Sequence, residues 1–478
     1  MSSLLDTLYY RSPAPLQNFY ISAHQYARWP KDHGPRYRRW CRLVEESQWW
    51  SREALERRQL QRLQALVAHA YANVPAYRRL YDEAGVRPEH IQSLADIALL
   101  PMVTKRQMRE APQEFRAQNA NGFHPIPLNT SGTTGTPFQF DSDAETEAVE
   151  RAFVRRHRSW GGLRTGETVA SMGGKLVVPL DQKHPPYWRS SHPDKILWLS
   201  TFHMTPDHLD LYVEHLRSSG IRFLKGYPSN LAVFAYHLKE RGGFLPMKAV
   251  FTGSEPLFEH ARATIEERFR CRVYDWYGVS ERVVTSGQCE RLEDYHVHME
   301  NCLVEIVRGD VVARVEEVGE IAGTCLSNYA MPFIRYRTGD MSARTEQPCG
   351  CGRGLMTIRQ VTTKWEHVLT TADGRWISPS TLTHPFKPVQ GLRKSQIIQD
   401  TPGEFIVKVV ADASFDGAQE HLLLAGFHSR LGAGAVVRID RVEDLPVEPS
   451  GKFRWIISRV PSRINDLVDL QQQESVGS

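Results

Sequence analysis

Hydroxyl side chains and glycines alternate in Thr130-Ser131-Gly132-Thr133-Thr134-Gly135-Thr136-Pro137, about a quarter of the way along a chain of 478 residues. The hydroxyls of Thr130, Ser131, Thr133 and Thr134 can donate to anionic oxygens. Gly132 and Gly135 let the backbone bend so that main-chain N–H groups turn towards the same anion. The chemistry this suggests is a grip on phosphate. It is not a Walker loop, which closes in Gly-Lys-Ser/Thr ahead of a helix, because Gly135 is followed by Thr136-Pro137 and proline bars a helix interior. The same composition also makes an ordinary surface turn, so the rest of the chain has to decide.

A second group of chemically capable residues is Cys289, His296 and Cys349-Gly350-Cys351. Three thiolates and one imidazole complete a tetrahedral zinc set, and a site using four protein ligands is closed and structural rather than catalytic. His298 and Cys302 are alternative ligands, and three buried reduced thiols beside a surface histidine are the plain alternative. Seven cysteines, an odd number without a secretory leader pattern, fit thiols better than a disulfide framework.

Composition narrows the class. A chain of this length exceeds one hydrophobic core, so two or more domains are expected. It is 41% hydrophobic and 24% charged, with no apolar run near the roughly 20 residues a membrane span needs. The expectation is a cytoplasmic protein without a transmembrane segment. A net charge of +4 is too small and dispersed to imply nucleic acid, and the basic-aromatic cluster Arg36-Tyr37-Arg38-Arg39-Trp40 reads first as a solvated surface.

The elements that must position these residues follow from periodicity. The aromatic-rich first 50 residues suggest a segment packed onto a larger body. Ser51 can cap a helix with Leu55, Leu63, Leu66, Val67, Ala70 and Tyr71 on its apolar positions, ending before Pro75. A polar helix is expected from Asp143 to about Trp160, and strands at Thr168–Ser171 and Ile221–Gly226. The clearest module is strand Met247–Phe251, loop Thr252–Pro256, a helix carrying Leu257, Ala261, Ile265 and Phe269, and strand Cys271–Tyr274. Strand-helix alternation implies an α/β domain with parallel pairing, whose ligands sit beyond the carboxyl ends of the strands. From about residue 365 the texture becomes a compact α+β unit: strands at Gln396–Gln399, Phe405–Val410 and Val436–Val442, and a helix at Phe415–Leu431. The expected division is 1–364 and 365–478.

Thr130–Pro137, Gly253-Ser254-Glu255, Tyr277-Gly278-Val279-Ser280-Glu281, Tyr336-Arg337-Thr338-Gly339-Asp340 and Pro449-Ser450-Gly451-Lys452 occur in the order and approximate spacing of the acyl-adenylate-forming enzymes. The chain resembles the phenylacetate-coenzyme A ligase branch, including relatives found with capsular polysaccharide synthesis. The resemblance implies an α/β fold with a large N-terminal adenylate-forming domain of mixed sheets and flanking helices, plus a small mobile α+β C-terminal domain. It implies an AMP-forming ligase that turns a carboxylic acid and ATP into acyl-adenylate and pyrophosphate, then passes the acyl group to coenzyme A.

On that resemblance Ser131, Thr133 and Thr134 would hold the outer phosphates, with Thr130, Gly132 and Gly135 shaping the loop. Glu281, beside Gly278 and Ser280, would help hold Mg²⁺. Tyr277 would face adenine with Gly253, Ser254 and Glu255 opposite, Asp340 would accept from the ribose hydroxyls, and Lys452 would reach the α-phosphate and the carboxylate together. Relatives share a Cys…His and Cys-x-Cys arrangement like that of Cys289, His296, Cys349 and Cys351. The chain departs from the family at the hinge, where Thr363-Lys364-Trp365-Glu366-His367 stands for Gly-Arg-x-Asp-Asp, and at Thr136, where many members carry lysine. The hinge departure keeps open an amine, for example on a sugar, or a carrier-protein thiol as acyl acceptor, and an inactive nucleotide-binding scaffold is the reading from another class. Trp198, Phe202, His203, Tyr227 and Trp276 are pocket candidates whose aromatic character favours an aryl or otherwise apolar acid. A homodimer is compatible with the family.

Overall fold

The computed structural model describes residues 8–130, 138–346, 349–361, 367, 369–377, 382, 384–386, 388–432, 434–445 and 455–461. Two helices, α1 (Ala14–Asp32) and α2 (Pro35–Ser47), precede α3 (Arg52–Asn73). Helix α3 begins where expected, with the Ser51 hydroxyl accepting from the Ala54 N–H at 3.3 Å. It stops at Val74, whose extended backbone is what a following proline imposes. Leu55, Leu63, Leu66, Val67 and Ala70 are all fully buried, the single apolar stripe that helical spacing dictates. The N-terminal aromatics divide differently from expectation. Trp40 is buried, whereas Phe19, Tyr20, Tyr26, Trp29 and Trp49 remain exposed, because α1 lies along the sheet edge and holds it by polar contacts: Arg189 to Gln17, and the Ser190 N–H to Asn18 Oδ1 at 2.9 Å.

The short helix α4 (Lys105–Glu110) is followed by the hairpin β1 (Pro125–Thr130) and β2 (Phe138–Asp143), whose connecting loop is the hydroxyl-rich segment. Helix α5 (Ala144–Trp160) starts on Asp143, which accepts from the Thr146 N–H at 2.8 Å. The chain then builds β3 (Val169–Met172), β4 (Trp188–Ser191), β5 (Ile196–Leu199), α6 (Pro206–Ser219), β6 (Phe223–Gly226), α7 (Pro228–Glu240), β7 (Ala249–Gly253), α8 (Glu259–Phe269) and β8 (Val273–Gly278). Next come β9 (Thr285–Gln288), β10 (Tyr295–Val297), β11 (Cys302–Arg308), β12 (Val318–Cys325), β13 (Tyr336–Thr345) and β14 (Thr357–Ile358).

These strands join one mixed sheet in the order β11-β12-β13-β14-β10-β9-β8-β7-β6-β3-β5-β4. The run β5-β3-β6-β7-β8 is parallel, and the remaining pairings are antiparallel. Two strands start later than the apolar pattern suggests. The N–H groups of Leu245 and Met247 bond to Arg268 and Phe269 at the end of α8, which leaves the ladder to begin at Ala249 and Val273.

The C-terminal unit is a four-stranded sheet in the order β17-β16-β15-β18, made of β15 (Leu392–Gln399), β16 (Glu404–Ala411), β17 (Val436–Arg441) and β18 (Ile456–Ser458), with α9 (Gly417–Leu431) packed on it. Its core contains Ile397, Val407, Phe427 and Trp455, and reaches the large sheet's side through Phe202. Strand β18 has only three residues and no sequence pattern of its own; it pairs parallel to β15.

Candidate nucleotide site and metal centre

Strands β7 and β8 run parallel and adjacent, so the loops after them emerge side by side at one edge of the sheet. Gly253 sits where β7 passes β8 closely: a Cβ there would lie 3.0 Å from the Trp276 carbonyl oxygen. Ser254, the next residue, has φ of 71°, a left-handed conformation that non-glycine residues adopt rarely and mostly where function holds them. Glu255 accepts from the Ser229 N–H at the start of α7 at 3.1 Å. Below the loop, Asp275 is buried and clamped by the Thr252 and Tyr295 hydroxyls, which fixes the end of β8 at the residue pair before Tyr277.

Tyr277 and Asp340 lie 63 residues apart, and the Tyr277 hydroxyl donates to Asp340 Oδ2 at 2.8 Å. Tyr336, on the same strand as Asp340, donates its hydroxyl to Glu281 Oε1 at 3.0 Å. Two motifs far apart in sequence are therefore joined by two hydrogen bonds. Burial raises the Asp340 carboxyl to about 6, with the neighbouring Glu281 charge adding to the effect. Burial also drives the Tyr277 hydroxyl well above its ordinary range. Glu281 is itself buried, Gly278 and Ser280 are exposed at the turn that leads to it, and a buried carboxylate favours a cation beside it.

One cation is already present. Lys105 Nζ lies 3.9 Å from Glu281 Oε1 and 5.8 Å from the centre of the Phe138 ring, the residue directly after the hydroxyl-rich loop. Burial lowers its pKa, opposed by Glu281 and Asp340. Sequence reading passed over Lys105. The signal available was local: Thr104 and Gln107 form a capping box, with the Thr104 N–H donating to Gln107 Oε1 at 2.8 Å, so Lys105 is held at the first position of α4. Tyr336 was likewise read only as part of a motif.

Ser131, Gly132, Thr133, Thr134, Gly135, Lys452 and the hinge residues 363–366 lie outside the described residues. Thr130 ends β1, pairing with Phe138. Of the pocket candidates, Trp276 packs against His157 and His298, and Tyr227 caps α7 at the carboxyl end of β6. Trp198 lies on β5 between two lysine ammoniums. Phe202 and His203 are placed elsewhere. Phe202 is fully buried in the C-terminal core, where Arg375 donates to its carbonyl, and His203 stacks on Tyr187 and bonds to the Ser200 hydroxyl at 2.7 Å.

The four candidate metal ligands converge. The Sγ atoms of Cys289, Cys349 and Cys351 and a ring nitrogen of His296 all lie within 4.8 Å of one another. Cys289 and Cys349 are 3.5 Å apart, and Cys351 is 3.6 Å from His296 Nε2. Ligands at Zn–S distances of about 2.3 Å on a tetrahedron are separated by about 3.7 Å, so the set fits zinc. His298 and Cys302 do not join it: both His298 nitrogens are buried without a partner, and the Cys302 thiol lies 3.4 Å from the Thr285 hydroxyl. The group links the β9–β10 hairpin to the loop leading into β14 and stands apart from Glu281, with every position filled by protein.

A sheet of this construction, with the nucleotide motifs at one edge and a separate α+β unit after it, is the architecture of adenylate-forming ligases. The fold matches 2-hydroxyisobutyryl-CoA ligase in complex with 2-HIB-AMP and CoA, with a TM-score of 0.56 at 21% identity over 88% of this chain and 92% of that one. Residues 369–459 match the family model described as CapK C-terminal domain. The phenylacetate-coenzyme A ligase of Escherichia coli K12 is 30% identical over 319 residues, 61% of this chain and 67% of its own length. Protein CapK of Staphylococcus aureus is 23% identical over 380 residues, 77% of this chain and 81% of its own. The chain belongs to the phenylacetate-coenzyme A ligase family and is accordingly an AMP-forming ligase. No helix among the described residues is long and apolar enough to cross a membrane.

Proposed function

We propose that this chain activates a carboxylic acid, an aryl or otherwise apolar one by the character of its pocket candidates, with ATP to form an acyl-adenylate and pyrophosphate, and then transfers the acyl group to coenzyme A. The observation that carries the reading is the pairing of Tyr277 with Asp340 and of Tyr336 with Glu281. In this reading Tyr277 stacks on adenine between Gly253-Ser254-Glu255 and β8, and the Asp340 carboxylate accepts from the ribose hydroxyls. Glu281 would hold Mg²⁺, which neutralises phosphate charge as the carboxylate attacks. Lys105 adds positive charge at the same edge, and the hydroxyls of Ser131, Thr133 and Thr134 hold the outgoing pyrophosphate. Lys452 brings the two reacting anions together, the step where electrostatic stabilisation matters most. Cys289, His296, Cys349 and Cys351 would hold a structural Zn²⁺.

Acid-dependent ATP–pyrophosphate exchange across a panel of acids tests the first half-reaction. Exchange with at least one acid is expected, and its absence with every acid would favour a nucleotide-binding scaffold. A second reading keeps adenylation and changes the acceptor to an amine or a carrier-protein thiol; it rests on the departure at Thr363–His367 and on the likeness to CapK. Running the active acid with and without coenzyme A separates the two, since thioester should accumulate only under the first.

A further inference from the structure

On the α5 side of the parallel strands lies a group of donors of which the adenylation reading uses only Trp198, as a pocket candidate. Trp198, Ser171 and Lys225 are register partners on β5, β3 and β6, so their side chains share one face of the sheet. Lys225 Nζ stands 5.4 Å from the Trp198 ring centre and Lys175 Nζ 4.7 Å from it. Arg158, on α5, adds a third positive charge that acts on Lys225. The Trp198 indole N–H is buried without a hydrogen-bond partner among the described residues. Among the described residues none of the three cations has a hydrogen bond or an ion pair with a carboxylate; Asp194 acts on both lysines from beyond ion-pair distance, and Arg28 adds to the positive side at Lys175. Lys225 is half-buried, and an ammonium in such a position with no carboxylate in contact is unfavourable. Cation–π contact with Trp198 offsets only part of that. Every group here donates and none accepts.

The location gives this imbalance a use. Lys225 is the second residue from the end of β6, two strands from β8. At the usual strand spacing that is about 10 Å from the strand bearing Tyr277, within reach of the far end of a ligand whose reacting carboxylate lies at the nucleotide. We propose that Lys225, Arg158 and Lys175, with the Trp198 N–H, receive a second anionic group, a carboxylate or phosphate, brought in by the acid that is activated or by coenzyme A. Trp198 supplies a flat wall beside it. The inference rests on the adenylation reading for its ligand, but anion binding at this face can be measured without turnover.

The experiment is lysine acetylation of the full chain with acetic anhydride at neutral pH, read at Lys225 by peptide mass spectrometry. Its labelling in the free chain sets the reference against which protection is read. Protection is compared for coenzyme A against 3′-dephospho-coenzyme A, and for 4-carboxyphenylacetate against phenylacetate, with AMP present. Protection of about tenfold by coenzyme A alone assigns the site to its 3′-phosphate, and protection by the dianionic acid alone assigns it to the substrate, the size a charge-assisted contact gives. Lys225→Met should abolish the corresponding preference in kcat/KM by a similar factor while the fold, followed by circular dichroism, is kept. Equal labelling with every anion, or a Lys225→Met variant with unchanged preference for both ligand pairs, would overturn the proposal. Failure of pyrophosphate exchange with every acid would instead remove the adenylation reading and leave the labelling result to decide anion binding.

Discussion

Asp340 makes the sharpest residue-scale prediction. A carboxyl raised to about 6 is ionised above that pH and protonated below it, and only the carboxylate can accept from two ribose hydroxyls. AMP affinity measured by calorimetry should therefore fall as pH drops from about 7 to about 5, and Asp340→Asn should flatten the profile. Stability moves the other way. The folded chain holds this proton more tightly than the unfolded one, so the contribution of Asp340 to stability is complete below its ordinary value and is lost as pH rises through about 6. Lys452→Ala should slow adenylate formation roughly 10²–10³-fold while leaving ATP binding nearly unchanged, the pattern of a group that acts in the transition state. Lys105→Met should weaken pyrophosphate exchange by about tenfold or more, since a charge-assisted contact contributes roughly 1.5–3 kcal/mol. An unchanged exchange rate would show that Lys105 serves only Glu281. Lys105 was not found from the sequence because its chemistry depends on Glu281 and Phe138, which only folding brings to it.

At the scale of elements, the Cys289–His296–Cys349–Cys351 group joins segments of the sheet that hydrogen bonds alone hold weakly: β14 has two residues and β10 three. Cys349→Ser with Cys351→Ser should release about one equivalent of zinc from protein prepared without chelator and lower Tm by several degrees, because structural zinc binding is folding free energy. Metal analysis by mass spectrometry reads the first, calorimetry the second, and zinc-free wild-type protein would exclude the assignment. Helix α3 gives a control for ordinary packing. Leu63→Ala removes a fully buried side chain and should cost about 2–5 kcal/mol without altering the relative use of acids. The main helices were legible because a cap, a 3.6-residue stripe and a proline stop are local features. Strand starts were less legible: Met247 and Cys271 belong to apolar runs, but their backbones bond across to the end of α8 or remain outside the ladder.

For the whole molecule, the C-terminal unit and the large sheet meet through Phe202 and Arg375, which donates to the Phe202 and Leu431 carbonyls. That contact places Phe202, an aromatic residue near a strand end, in the C-terminal core. Position along a strand says which edge a side chain is near, not which neighbour occupies the space beside it.

The order of five short motifs was enough to identify the family and the α/β class, because each motif is a local answer to a local chemical demand. The cysteine and histidine spacing likewise picked out four residues whose side chains converge. What only the tertiary structure decided is which side chains share an environment: Tyr277 with Asp340, Tyr336 and Lys105 with Glu281, Phe202 with the C-terminal core, and Lys225 with Arg158 and Trp198. These depend on strand order and register, which are set by long-range packing that no stretch of the chain encodes by itself.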